Sequence, residues 1–102
     1  MYNIFTNGPF FEWDESKNAA NQRKHGVSFQ EARSVFLDGN AQDAVDSDHS
    51  HEEDRFILVG MSDRSRVLLV SYCYRSEYSI LRIISARKLN KKEEAQYWRM
   101  IE

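Results

Sequence analysis

The sequence predicts an α+β fold in which helices and strands are segregated along the chain. Three observations lead there. Helix-capping residues stand at Asp14, Ser28 and Asn90, two in the first third of the chain and one near its end. Three strand-like runs, residues 56–61, 67–74 and 79–86, follow one another with no helix between them. The joining segments Asp63-Arg64-Ser65 and Arg75-Ser76-Glu77-Tyr78 suit hairpins and are far too short for crossovers. The expected architecture is a twisted antiparallel sheet of about four to five strands, with two N-terminal helices and one C-terminal helix.

In chain order, Phe10-Phe11-Glu12-Trp13 follows Asn7-Gly8-Pro9 and reads as a first strand after a turn, with residues 2–5 placed to pair with it as a hairpin. Asp14 then stands where an N-cap belongs and Gly26 where a left-handed C-cap belongs. Between them residues 15–25 form a helix by propensity, yet Ala19 and Ala20 are its only apolar residues. Lys17, Asn21 and Lys24 line one polar face, and Asn18, Gln22 and His25 the next. So polar a helix must be held by specific contacts or by a ligand. Ser28 and Glu31 form a capping-box pattern for a second helix, whose Phe29, Ala32, Val35 and Phe36 face a core. Asp38-Gly39-Asn40 stops it, and a short strand is expected around residues 41–45. In the third long strand Leu81 and Ile83 share one face, Ile80, Arg82 and Ile84 the other. Asn90 caps the last helix with Glu93 at N3, and Ala95, Trp98 and Ile101 at threefold spacing are expected to face the sheet.

At 102 residues and 12.0 kDa, without repeats or linker-like stretches, the chain reads as one domain over residues 1–102. Its single cysteine, Cys73, excludes an internal disulfide. No apolar run approaches the ~18 residues of a membrane span. The start, Met1-Tyr2-Asn3-Ile4-Phe5, lacks a basic, long-apolar leader, so the expected location is the cytoplasm. A net charge of −2 argues against coating nucleic acid by bulk charge. The distribution is lopsided, however. Residues 1–54 carry a balance of −7, residues 55–92 one of +7, mostly arginine, and the last ten −2. An arginine-rich half suits phosphate, because the guanidinium fork bonds two oxygens at once. A solvated surface with a charge gradient is the simpler alternative.

Four places have chemistry to offer. Arg23-Lys24-His25-Gly26 is a cationic helix end, explicable by the helix dipole alone, although His25 is also a natural proton carrier near neutral pH. Arg55, Arg66, Arg75, Arg82 and Arg87 lie on or beside the strands, Arg82 between Ile80 and Ile84 and Arg55 beside Ile57 and Val59. Such arginines either line a cleft or pair with acids, for which Glu12, Glu31, Glu93 and Glu94 are available. Asp48-His49-Ser50-His51-Glu52-Glu53 has metal-ligand residue types, but no HExxH or CxxC pattern supports it, and no metal site or cofactor is assigned. Cys73 sits among Val, Leu and Tyr, where a thiol packs inertly.

The order of motifs resembles a known family. Phe11-Glu12-Trp13-Asp14, Lys17-Asn18, Asn21, Lys24-His25-Gly26-Val27-Ser28-Phe29, Glu31-Ala32 and Val35-Phe36 are similar to the front half of BrnT toxins. Arg55-Phe56, Gly60, Val67-Leu68-Leu69-Val70, Arg75, Arg82-Ile83-Ile84-Ser85-Ala86-Arg87, Glu93 and Tyr97 are similar to the back half. The resemblance spans about residues 10–99. Two departures stand out: residues 1–9 form an N-terminal extension, and Leu89 stands where alanine is common.

The resemblance implies a bacterial ribonuclease toxin of a type II toxin–antitoxin pair with a RelE-like fold. It also implies a ribbon-helix-helix antitoxin in a 2:2 complex that binds operator DNA. The expected activity is metal-independent endoribonuclease cleavage of RNA. The ribose 2′-OH attacks the adjacent phosphate while cationic groups stabilise the transition state. Lys24, His25, Arg55, Arg82 and Arg87 are the candidate catalytic residues, with His25 moving a proton; Arg75 and Tyr97 are candidates for binding substrate, Tyr97 by stacking on a base. The alternative is an inactive toxin that serves only as a partner-binding or regulatory domain in an operator-binding complex.

Overall fold

Two helices cover one face of a mixed sheet and a third crosses part of the other. In a computed structural model that describes residues 2–3, 8–48, 54–75 and 79–102, the first strands are β1 (Tyr2–Asn3) and β2 (Gly8–Glu12). Next come α1 (Glu15–His25), α2 (Phe29–Ser34), a 3₁₀ turn (Val35–Leu37) and β3 (Gln42–Val45). The strands β4 (Arg55–Met61), β5 (Val67–Arg75) and β6 (Ile80–Lys88) then lead to α3 (Lys91–Ile101). Residues 49–53 of the acidic, histidine-bearing loop and 76–78 of the last expected turn lie outside the described residues.

The strand order is β1-β2-β6-β5-β4-β3. β3 to β6 form the expected antiparallel meander, and β1 pairs antiparallel with β2, Tyr2 opposite Pro9. The all-antiparallel expectation needs correction, because β2 joins β6 in parallel, with Phe10, Phe11 and Glu12 opposite Ile80, Leu81 and Arg82. Turn lengths constrain only strands adjacent in sequence. Two helices and three strands separate β2 from β6, ample chain for a parallel return.

Phe29, Val27, Ala32 and Val35 are fully buried against Leu68, Val70, Leu81 and Ile83. An aromatic chain extends this core, Phe11 to Phe36 to Tyr72 to Phe56, with centroids 5.1–5.6 Å apart. Burial pushes the Tyr72 phenol up to about 12, so it stays neutral. Gly60 is where the 3₁₀ turn meets β4: a Cβ there would lie 2.9 Å from Ala41 Cβ and 3.0 Å from Val35 Cγ1. Strict alternation fails once, in β6. Ser85 faces Ser71 but Ile83 faces Tyr72, so Ile84 is the extra residue of a bulge and both Ile83 and Ala86 turn inward.

α1 has no apolar stripe, and asparagines hold it. Asn18 Oδ1 accepts the Phe29 N–H (2.9 Å). Asn21 Nδ2 donates to the carbonyls of Val27 and Ala86, both at 2.8 Å, and its Oδ1 accepts the Ala86 N–H at 3.2 Å. β2 pairs with β6 only as far as Arg82, so further along β6 a side-chain amide occupies the place of a neighbouring strand. Asn21→Ala therefore strands buried backbone groups and should cost about 2–4 kcal/mol in denaturant unfolding. Asn21→Asp, which replaces the donor by an acceptor, should be no better.

The caps behave as expected at Asp14, which accepts from the Ser16 and Lys17 N–H groups, and at Gly26, with φ 69°. At Ser28 only half the expected box forms. Its Oγ accepts the Glu31 N–H at 3.0 Å, but the Glu31 carboxylate, 4% exposed, turns instead to Arg66 and Ser62. Arg66 also donates to the Gly26 carbonyl at 3.0 Å, tying the α1–α2 corner to the β4–β5 turn. The last helix departs from expectation too. Trp98 is 41% exposed and Ala95 is exposed; Glu93, Tyr97 and Ile101, at fourfold spacing, turn inward.

Candidate active site

The face of the sheet away from α1 and α2 carries Arg55, Ile57 and Val59 of β4, then Leu69, Ser71, Cys73 and Arg75 of β5. Arg82 and Arg87 of β6 and Glu12 of β2 complete it, by strand alternation and register. One register row crosses four strands: Arg55 opposite Cys73, Cys73 opposite Arg82, Arg82 opposite Glu12. Arg75 lies two residues beyond Cys73 on the same face. Pairing thus gathers Arg55, Arg75 and Arg82, which the sequence scatters over 28 positions, at one end of the sheet. Arg82 lies on the open face, its side chain 28% exposed, and pairs with Glu12, one of the acids available to it.

Glu12 completes this cluster. Its Oε1 lies 3.2 Å from Arg75 Nε and 3.2 Å from Arg82 Nη1. Two guanidinium groups on one carboxylate, with Arg55 further along the same row, leave this end of the face net positive and give two forks that suit a phosphate. Cys73, in the middle of the row, is 2% exposed and packs as expected.

Arg87 lies at the other end of the face and holds α3. Its Nη1 and Nη2 bond Glu93 Oε1 and Oε2 at 2.8 and 2.9 Å. Glu93 also closes a full capping box with Asn90. The guanidinium and the Asn90 N–H together hold the Glu93 carboxyl down to about 2. Tyr97 does not present its ring to solvent: it is 4% exposed and its hydroxyl donates to Asp38 Oδ2 at 3.4 Å. Beneath α3 a cavity of about 420 Å³, lined by Ile57, Val59, Leu69, Leu89 and Met100 among others, separates the helix from the sheet.

The anchor has a pH signature. The Glu93 carboxyl lies below its ordinary 4.5 when folded, so its stabilisation is complete above about 4.5 and lost as pH falls toward 2. Glu31 and Asp38 are lowered too, by Arg66 and by the Met61 N–H respectively, and act in the same direction. The thermal midpoint should fall through that window, and Glu93→Gln should flatten part of the slope.

Lys24 and His25 stand apart from the Glu12 cluster. α1 starts beside the Glu12–Arg82 pairing and runs along β6 until Asn21 reaches Ala86, so its last turn lies toward the Arg87 end, in the helix layer. About 13 Å of strand separates Ala86 from Arg82. From the sequence Glu12 reads only as a partner for an arginine. Its place in a Phe-Phe-Glu-Trp strand, where alternation sends it away from buried Phe11, was the signal for more.

Among the described residues no helix is long and apolar enough to cross a membrane, and no group of three or more His, Cys, Asp or Glu is placed to hold a metal ion. Residues 13–93 match the family model described as ribonuclease toxin, BrnT, of type II toxin-antitoxin system. Among solved structures the fold is similar to that of the Brucella abortus ribonuclease toxin BrnT, with a TM-score of 0.62 and 21% sequence identity. That match covers 81% of this chain and 99% of the other. No curated protein matches the sequence significantly. The α+β architecture and the match over residues 13–93 agree: the chain belongs to the BrnT family of ribonuclease toxins of type II toxin–antitoxin systems.

Proposed function

We propose that the open sheet face at the Glu12–Arg82 end binds single-stranded RNA and cleaves it without a metal ion. The observation that carries this is the convergence of Arg55, Arg75 and Arg82 on one accessible face. Arg75 and Arg82 are the phosphate clamp. With Arg55 they offset the charge that builds on the phosphoryl oxygens as the 2′-oxygen attacks and the 5′-oxygen leaves. The products are a 2′,3′-cyclic phosphate and a 5′-hydroxyl. Lys24 and His25, in the helix layer at the other end of β6, suit flanking phosphates, and proton transfer by His25 requires the RNA to wrap round to that layer; Arg87, held by Glu93, acts by anchoring α3. Tyr97 acts by seating α3.

A member of a type II pair has an antitoxin partner. We assign it the ribbon-helix-helix class, docking acidic side chains over the arginine face in a 2:2 complex that leaves its DNA-binding part free for operator DNA. Charge reversal at Arg75, which is 58% exposed, should slow association most at low salt, where screening is weakest. The test of function is induced expression of the chain alone in a bacterial host with RNA integrity followed over time. Growth arrest with RNA breakdown is expected. Arrest or growth with intact RNA favours a domain that only binds its partner.

A further inference from the structure

Resting on that reading of the arginine face, we infer that Glu12 is a further catalytic residue, the general base that takes the proton from the attacking ribose 2′-OH. Glu12 Oε1 touches both arms of the phosphate clamp, Arg75 Nε and Arg82 Nη1, each at 3.2 Å. In RNA the 2′-hydroxyl is one ribose carbon away from the 3′-phosphate ester, so a phosphate gripped by these forks brings its 2′-OH to the carboxylate beside them. The carboxylate is reachable: the Glu12 side chain is 36% exposed, at the end of the face that α3 leaves open.

Three other described carboxylates are committed elsewhere. Glu93 gives both oxygens to Arg87 and one of them also to the Asn90 N–H. Asp38 accepts the Met61 and Asn40 N–H groups and the Tyr97 hydroxyl. Glu31 is buried on the opposite side under Arg66 and Ser62. Among the described residues Glu12 bonds the side chains of Arg75 and Arg82, in partly exposed pairs that add little to stability. Structural need does not account for a carboxylate at the centre of a phosphate-binding cluster.

The step balances. The 2′-OH proton passes to the Glu12 carboxylate, the 2′-oxygen bonds to phosphorus, and the bond from phosphorus to the 5′-oxygen breaks. The 5′-oxygen takes a proton from water, and Glu12 returns its own proton to solvent. Nothing is oxidised or reduced.

The test compares wild type with Glu12→Gln and Glu12→Asp on two single-stranded oligoribonucleotides. One is ordinary; the other has sulfur for the 5′-bridging oxygen, a leaving group that needs no proton. Glu12→Gln should cut both about 10²–10⁴-fold more slowly in kcat, with KM little changed, and Glu12→Asp should recover part of the rate. A Glu12→Gln rate within threefold of wild type overturns the inference. So does a defect that disappears on the sulfur substrate, which would place proton transfer at the leaving group, or one confined to KM, which would leave Glu12 as a clamp-positioning residue. A wild-type chain that leaves both substrates intact overturns the ribonuclease reading of this face itself.

Discussion

Arg82→Ala should lower RNA cleavage about 10²–10³-fold while the folded chain keeps nearly its full stability. Arg82 holds the middle of the row that crosses four strands, facing Cys73 on β5 and Glu12 on β2. Among the described residues its ion pair is with Glu12 and is partly exposed; pairs near the surface contribute about 0–1 kcal/mol, so folding loses little. On the proposed reading cleavage loses a cation that would face the developing phosphoryl charge, in a position set by strand register. Arg82→Lys should restore charge but not the fork, and recover only part of the rate. Arg87→Ala offers the contrast. It releases the bidentate hold on Glu93, so its main effect should be a loosened α3 and a lower thermal midpoint. Steady-state cleavage and circular-dichroism melts on the same preparations separate the two.

Arg66→Ala should be the most damaging substitution of any charged residue, destabilising by about 3–5 kcal/mol in urea. Glu31 is 4% exposed, and its carboxylate is satisfied by Arg66 and by the Ser62 hydroxyl at 2.6 Å. Removing the guanidinium leaves a buried carboxylate with one neutral donor and also frees the Gly26 carbonyl that closes α1. Glu31→Ala should cost less, because Arg66, 26% exposed, can turn to water. Glu31→Leu combined with Arg66→Met should recover much of the loss, as apolar replacements of buried pairs do. If Arg66→Ala is no worse than Arg75→Ala, the buried pair does not hold the corner.

Much of the fold was legible because local chemistry and tertiary demand agree. Asp14, Gly26 and Asn90 cap as their types dictate, and Phe29, Ala32 and Val35 are fully buried as their spacing requires. What was not legible depended on contacts remote in sequence. The parallel β2–β6 pairing joins residues 70 positions apart, and no turn signal reports it. Glu31 looked like the far half of a capping box until Arg66, 35 positions on, claimed its carboxylate. The inward face of α3 follows Glu93 and Tyr97, polar residues with partners on Arg87 and Asp38, so hydrophobic spacing alone chose Trp98 wrongly.

The candidate site shows the same division. The arginines were visible as a charge imbalance, and their acidic partners Glu12, Glu31 and Glu93 were among the available acids. Which arginine does what was not visible. Arg66 and Arg87 pair with Glu31 and Glu93 to hold structure, whereas only strand register brings Arg55, Arg75 and Arg82 to one face. Lys24 and His25 belong to the Lys24-His25-Gly26 block that carries the family resemblance, yet the helix they end runs along β6 away from that cluster.

The central claim is that the arginine face is a metal-independent RNA-cleaving centre. The most direct measurement is digestion of end-labelled single-stranded RNA by the purified chain in EDTA, with the termini of the products identified. Fragments ending in 2′,3′-cyclic phosphate, formed by the wild type and lost with Arg82→Ala, are the predicted result. RNA left intact, or cleavage that vanishes with chelation and returns with a divalent ion, would contradict it.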